Sequence, residues 1–588
     1  MTVPFPERHD ILNVSTRNSS TAIFPAHCSS PASADCPLCC ETREAPEYSD
    51  PRPECAKNLV LARFELVLAL FFAVVRIRLV IPRFHDCLAK KRDSMNTGEV
   101  HWIALVIFVG LFLFVTVLGF MAARWKAGDL KRLDEWALGG QRFGILITWF
   151  LVGGDLYTAY TIIAVPALVY SFGAYGFFAV PYAIIIYPFV FAVMPRFSTV
   201  CRQGGHLTAA DFVQARFGHS ALAVAVAITG LLATMPYLGL QLVGIQVVLE
   251  GLGLGKGEFP RITAFIFLAL YTYKSGLRAP AMIAFVKDIL IYITVIAAVL
   301  VIPVELGGYG PVFEAAAKTF EARGGPSGLL LKPGQMLPFA SVALGSALAL
   351  FMYPHSVTGV LSSSSARTIR WNAILLPAYT VLLGLVALLG YMAIADNVKV
   401  ADANEVIPAL FLNIFPEWFV GFSFSAIAIG ALVPSAIMSI GAAKLFTRNL
   451  WKPFVRRQIS PAEETNVAKI ASLVVKLGAL LFIIFLPIQY AIDFQLLGGI
   501  WILQTFPAVV LGLYRVPLRG RPLFIGWAVG MISGTWFFLL AGLKPVLPIV
   551  GVGGIYSAII ALALNLVISL GGSILGVAAP EDGREQRA

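Results

Sequence analysis

Three stretches of this chain set chemically active groups inside runs that are otherwise almost wholly apolar. The first reads Trp149-Phe-Leu-Val-Gly153-Gly154-Asp155-Leu-Tyr157-Thr158-Ala-Tyr160-Thr161, with Pro166 following. Two glycines and an acid make a poor continuous helix. They make a good discontinuous one, whose freed amides and carbonyls hold an anion and a cation. The bland reading of the same residues is a kink with Asp155 facing a polar neighbour. The second stretch is Lys287-Asp288, between Ile283-Ala-Phe-Val and Ile-Leu-Ile-Tyr. Adjacent helical residues diverge by roughly 100°, so these two are expected not to pair with each other but to find partners on other elements. A buried lysine that gains and loses a proton is what a proton carrier needs; a structural ion pair between helices is the alternative. The third is Tyr353-Pro354-His355-Ser356, where Pro354 removes a backbone bond and Gly359 loosens the following turn. Here His355 reads either as a satisfied structural group or as a ligand beside a break. Tyr237 and Gln241 after Pro236, and Ser435 and Ser439 beside Pro434, are weaker candidates, because membrane Ser and Thr usually bond their own backbone.

The elements that must position these groups follow from composition. Of 588 residues, 58% are hydrophobic and 13% charged, against roughly 25% charged in soluble domains. Mean hydropathy is +0.80. No soluble fold buries that much apolar surface, so the expected class is an all-α polytopic membrane protein. That excludes a nucleic-acid binder and a secreted disulfide scaffold. Thirteen apolar segments of bilayer length are expected near 101–123, 143–171, 174–195, 219–250, 260–276, 279–305, 338–360, 370–396, 417–446, 467–487, 490–514, 521–541 and 546–575. The connections on one side carry twenty-three Lys and Arg, Lys444 and Arg448 among them, against seven on the other. By the positive-inside rule the first side is cytoplasmic. This puts the start of the first span outside, if the chain begins at Met95, and the tail 581–588 in the cytoplasm. The stretch near 311–322 is amphipathic and expected on the surface, and Gly526, Gly530 and Gly534 read as a helix-packing stripe.

From Met95 onward the sequence resembles the sodium:solute symporter family, and within it the bacterial monocarboxylate permeases. The resemblance rests on Gly140-Gln141-Arg142-Phe143-Gly144 leading to Gly153-Gly154-Asp155-Leu-Tyr157-Thr158, and on Met235-Pro-Tyr-Leu-Gly-Leu-Gln241. Ser275-Gly-Leu-Arg-Ala279, Tyr353-Pro-His355 and Lys444-Leu-Phe-Thr447-Arg-Asn complete it. Such a likeness implies two five-helix inverted repeats, 143–305 and 338–514, each opening with a broken helix, and substrate between the breaks. The second and seventh spans, chosen above on their own residues, fall at those positions. The substrate-binding set would be Gly153, Gly154, Tyr157, Thr158, Tyr237, Gln241, Tyr353, His355 and Ser356. Asp155, Lys287, Asp288, Ser435 and Ser439 would couple the ion, with Asp155 and Ser435 as the possible sodium ligands.

One departure bears on that ion. Relatives that use sodium carry hydroxyl residues in the ninth span where this chain has Leu432, Val433 and Pro434, and Thr-Asp in the sixth where it has Ile283-Ala284. The polar residue one turn on is Lys287, whose ammonium can occupy a site that otherwise holds sodium. The expected function is symport of small monocarboxylates (pyruvate, lactate, acetate, propionate) into a bacterial cell across its inner, plasma membrane, driven by a proton or sodium gradient. The alternative is sodium-coupled uptake of proline, alanine or pantothenate. No cofactor, nucleic acid or obligatory protein partner is expected beyond the bilayer and a small organic anion. An intramembrane enzyme lacks a His-Glu-x-x-His or Gly-x-Ser-x-Gly motif, and a channel lacks rings of charge or carbonyls.

Residues 1–94 differ from the rest. They carry six of the seven cysteines, and residues 1–58 show no periodicity and read as disordered. Cys36-Pro-Leu-Cys39-Cys40 has no second pair to complete four zinc ligands. Residues 59–81 are apolar but hold Arg63, Glu65, Arg76 and Arg78, a costly span. The extension is therefore expected to be an over-extended start or a tail peculiar to this protein. A chain beginning at Met95 is expected to take up substrate as fast as the full chain at equal membrane abundance. Loss of uptake would show that the extension contributes.

Overall fold

The computed structural model describes residues 100–124, 128–154, 157–272, 276–325, 327–486 and 490–577. They lie within one unit, Arg92–Ala588; the other unit, Met1–Lys91, is outside the described residues, as is residue 94 with the rest of the extension. Among the described residues the architecture is helical apart from one hairpin of two-residue strands, Val546–Leu547 with Ile555–Tyr556. Among the described residues eleven helices are long and apolar enough to cross a membrane. Two of the thirteen expected segments fall short of that length. The second is split into α1 (Ile145–Gly153) and, after a π-helical turn at Tyr160–Ala164, α2 (Val165–Phe172). The fifth is a 15-residue helix, Glu258–Thr272. The last span begins later than expected, at Ser557, because Gly553 and Gly554 adopt positive φ and close the hairpin before it.

Two inverted five-helix repeats form the centre. The first contains the split second span, α3 (Ala179–Gln203), α4 (Ser220–Gly251), the 15-residue helix and α5 (Arg278–Glu305). The second opens with the seventh span, itself split into α6 (Pro333–Leu350) and α7 (Pro354–Ser362). Tyr353 is extended, as the residue before a proline prefers, and Pro354 starts the next helix where its missing N–H costs nothing. Then come α8 (Pro377–Ala395), α9 (Glu417–Phe446), α10 (Pro461–Phe485) and α11 (Ala491–Ile502). The best apolar window of α9 is buried over its full length, whereas that of the first span, Trp102–Arg124, is 22% buried. So α9 is the axis of the domain, and the first span is peripheral. The stripe at Gly526, Gly530 and Gly534 packs on Ser569 and Asn565, on Gln504, and on Ile500 and Ala561, the helix contact expected of it. The amphipathic helix Tyr309–Arg323 turns Val312, Ala316 and Phe320 inward.

The split second span is fastened at both ends, to the seventh span at one and to the connection that precedes it at the other. At one end Phe143 N donates to Ser362 O at 3.1 Å and Ser364 N to Phe143 O at 2.7 Å. Arg202 adds bonds to the carbonyls of Gln141 and Ser363. At the other end Ala174 N donates to Gly328 O at 2.8 Å, and Arg323 reaches Tyr170 O at 2.9 Å. Gly173 is required there. Its φ is +66°, and a Cβ would stand 2.0 Å from Gly328 O. Gly173→Ala should therefore cost about 1–3 kcal/mol, the usual penalty for overpacking a close contact, read as a lower unfolding temperature in detergent. An unchanged temperature would mean that this clasp does not support the fold.

Candidate functional site

The first half of the second span ends at Gly153, and the two glycines there admit neighbours that a side chain would displace. A Cβ at Gly153 would meet the Tyr379 ring at 2.3 Å, and one at Gly154 would meet the Lys287 ammonium at 2.8 Å. The break leaves main-chain oxygens without helical donors, and Lys287 takes two of them. Its Nζ donates to Gly154 O at 2.5 Å and to Tyr157 O at 2.9 Å. Lys287 and Asp288 are both fully buried. Contrary to expectation they also face one another, Nζ to Oδ1 at 3.2 Å. The 100° between neighbouring Cβ directions separates short side chains, not a four-methylene stem that bends back along its helix. The other carboxylate oxygen, Oδ2, accepts the Tyr379 hydroxyl at 2.6 Å.

Tyr379 is the residue that sequence reasoning missed. It lies at the start of α8, and nothing about a tyrosine two residues after Pro377 marks it as a partner for an acid five helices away in the chain's order. Its main-chain oxygen also accepts the Tyr157 hydroxyl at 2.9 Å. Tyr157, Tyr292 and Tyr379 pack with centroids 4.6 to 6.3 Å apart, so three aromatic rings close over the ion pair. The break is thus joined to α5 through an ammonium and to α8 through a tyrosine.

The remaining candidates fall into neighbouring groups. Gln241 on α4 accepts Ala159 N at 3.1 Å, holding the turn that leads into the latter half of the second span. Thr158 accepts Tyr160 N at 3.0 Å in the same turn. Tyr237, one helical turn before Gln241, packs against Tyr353 with ring centroids 5.3 Å apart and edge-on against His355 at 5.4 Å, and Tyr353 lies 5.1 Å from His355. This aromatic group sits at the break of the seventh span, with Ser356 beside it and 4% exposed. On α9, Ser435 Oγ donates to Ala431 O at 2.6 Å and Ser439 Oγ to Ala436 O at 3.0 Å, the local bonding usual for membrane serines. Gly430 and Ala431 bring α9 within contact of Ile291 on α5 and of Gly244 on α4. Asp155 lies outside the described residues. No group of three or more His, Cys, Asp or Glu able to hold a metal ion occurs among the described residues.

A profile described as the sodium:solute symporter family matches residues 136–530, which span both broken helices and the whole cluster. The chain belongs to that family. A monocarboxylate transport permease protein of Rhizobium johnstonii is 58% identical over 479 residues, covering 81% of this chain and 97% of that one. An uncharacterized symporter of Bacillus subtilis, YodF, is 34% identical, covering 79% and 92%. A sodium/proline symporter of Staphylococcus aureus is 22% identical, covering 80% and 92%. Among solved structures, the substrate-bound outward-open state of a Na⁺-coupled sialic acid symporter superposes with a TM-score of 0.64 at 17% identity, covering 82% of this chain and 99% of that one. The symporter described here is therefore a multi-pass membrane transporter for a small solute and not an enzyme, built on the inverted-repeat fold.

Replacing the Tyr379 hydroxyl alone tests the cluster. Tyr379→Phe keeps the ring on Gly153 and the carbonyl that holds Tyr157, and removes only the bond to Asp288. Hydrogen bonds to charged groups contribute about 1.5–3 kcal/mol. The uptake rate per folded transporter should accordingly fall about tenfold or more. Wild-type uptake would make the tyrosine mere packing.

Proposed function

We propose that this symporter carries small monocarboxylates such as pyruvate, lactate, acetate or propionate into a bacterial cell across its plasma membrane, together with a proton. The observation that carries the reading is Lys287 Nζ seated on Gly154 O and Tyr157 O at the break of the second span. Two carbonyls three residues apart at a broken helix offer a cation site, and a compact ammonium with three donors fits it. The cation is covalently attached, so what enters and leaves the site is its proton.

The substrate assignment draws on the name of the Rhizobium relative and on the chemistry between the breaks. Helix starts offer amides to a carboxylate. The Tyr237–Tyr353–His355 group gives a small, largely apolar wall suited to a short acyl chain. Gly153, Gly154, Tyr157, Thr158, Gln241 and Ser356 frame the remaining sides. Coupling follows from differential affinity, the only way an ion shifts a conformational equilibrium. A charged Lys287 holds the two halves of the second span at a fixed distance through two charge-assisted bonds, while a neutral amine loses most of that grip. Loading and unloading the proton therefore alters how readily the second span moves against α5 and α8.

A sodium reading has its own support. Pro434 supplies no N–H to Gly430 O, and that carbonyl lies where α9 contacts Ile291. Together with Ser435 and Ser439 on the same helix it offers oxygens for a sodium site. The proline and sialic acid symporters to which the chain is similar also carry sodium in their names. Uptake of a panel of labelled acids by proteoliposomes, at fixed membrane potential, separates the two. The proton reading expects accumulation driven by an acid exterior in sodium-free buffer. Lys287→Gln should then abolish accumulation while exchange at equal concentrations largely survives, since exchange needs substrate binding but no net ion movement. Strict sodium dependence, or full accumulation by Lys287→Gln, would overturn it.

A further inference from the structure

A second lysine lies inside the transporter with no part in the cluster above. Lys444 belongs to the motif Lys444-Leu-Phe-Thr447-Arg-Asn, and its place near the end of α9 had counted it among the loop charges of the cytoplasmic side. The structure instead buries it to 2% exposure. Its Nζ donates to Thr358 Oγ1 at 3.1 Å, on the inner half-helix α7. No carboxylate stands within ion-pair distance of it among the described residues. Asp211, the acid on the neighbouring helix Ala209–Phe217, is spent elsewhere. Its Oδ1 accepts Asn449 Nδ2 at 2.7 Å; its Oδ2 accepts the amides of Leu207 and Thr208 at 3.0 and 3.2 Å and faces Arg448 Nε at 3.6 Å.

Lys444 also lines a cavity. Thr208, Gly230, Met352, Pro354, Val357 and Gly441 surround it, and the space is about 10 Å³, room for a single water-sized group. Met352 and Pro354 belong to the break of the seventh span. The cavity therefore adjoins the break where substrate is proposed to sit, and Lys444 stands on its side nearer the end of α9 that the charge bias assigns to the cytoplasm. A buried ammonium with one neutral hydroxyl partner is costly, and a domain that passes carboxylates can supply the missing counter-charge from its own cargo.

We propose that Lys444 is a second carboxylate-binding group, which receives the substrate on the cytoplasmic side of the breaks and releases it inward. The proposal rests on the monocarboxylate reading and its orientation. In the structure the site is shut, with Thr358 as its occupant: the ammonium latches α7 to α9. A carboxylate offers the same ammonium a charge-assisted bond, roughly twice as strong as one to a neutral hydroxyl. An arriving anion therefore displaces Thr358 and frees α7 to move away from α9. Departure of the substrate and opening of the inner passage become one event.

The test uses the full chain in oriented proteoliposomes, with labelled lactate outside and unlabelled lactate inside. The readout is the internal concentration giving half-maximal stimulation of label entry. Lys444→Met preserves volume and removes the charge; it should raise that concentration at least tenfold and leave the external half-saturating concentration within threefold. Thr358→Val removes the competing hydroxyl and should move the internal value the other way, or leave it unchanged. Lys444→Arg should recover part of the loss. An unaltered internal value in Lys444→Met, or increases of like size in both variants, would overturn the proposal, because a merely structural latch suffers equally from the loss of either partner. If the wild type carries neither lactate nor any other acid of the panel, it is the monocarboxylate reading that fails, and the two failures are distinct.

Discussion

A charge at membrane depth persists only where the protein replaces the water it has lost, and Lys287 finds that replacement in main-chain oxygens. Inserting a lysine at the centre of a span costs about 3 kcal/mol even on the lenient translocon scale. Oxygens committed to a helix are poor acceptors for it; oxygens released by a broken helix are ready ones. The break at Gly153-Gly154 and the lysine on α5 thus depend on each other. Without the ammonium, Gly154 O and Tyr157 O would be buried polar groups lacking these donors. Without the break, the ammonium would have no such place to sit.

Everything near the pair is arranged to keep that exchange intact. Asp288 balances the charge, Tyr379 orients Asp288, and the Tyr157 hydroxyl returns to the Tyr379 backbone. The result is a loop of contacts running from the second span through α5 to α8 and back. Such a loop behaves as one unit, since moving any member strains the other bonds. Two glycines make it possible by leaving space for a ring and an ammonium that any side chain would occupy. Gln241 acts on the far side of the break, filling the donor need of Ala159 N, so the unwound turn is satisfied from two directions.

How much of this was legible in the sequence depends on whether the signal was local. Both broken helices were readable, because Gly-Gly-Asp and Pro-His inside apolar runs contradict helix propensity on the spot. The glycine stripe of the twelfth span was readable for the same reason. Lys287 announced itself as a charge without an evident partner. What it would bind was hidden, since backbone oxygens carry no residue letter. Tyr379 was invisible because a tyrosine in an apolar helix is ordinary, and only its meeting with Asp288, 91 residues earlier in the chain, gives it a role. Lys444 misled outright. Its position near a helix end among other bases resembled a solvated loop charge, and only packing against α7 showed it buried.

The reliance of the second span on later parts of the chain has a consequence for biosynthesis. Lys287 is joined to Tyr157 across 130 residues, and the clasp at Phe143 awaits Ser362 and Ser364. At translation rates of roughly 5–20 residues per second, the unwound turn emerges on the order of ten seconds before the side chain that satisfies it. In that interval its bare carbonyls must be hydrated or bound by the insertion machinery, and the span must be free to shift in depth. The transporter's most exacting contact is thus made late, by a helix arriving to meet a site that has been waiting open, and damage to α5 would be felt first as a failure of the second span to settle.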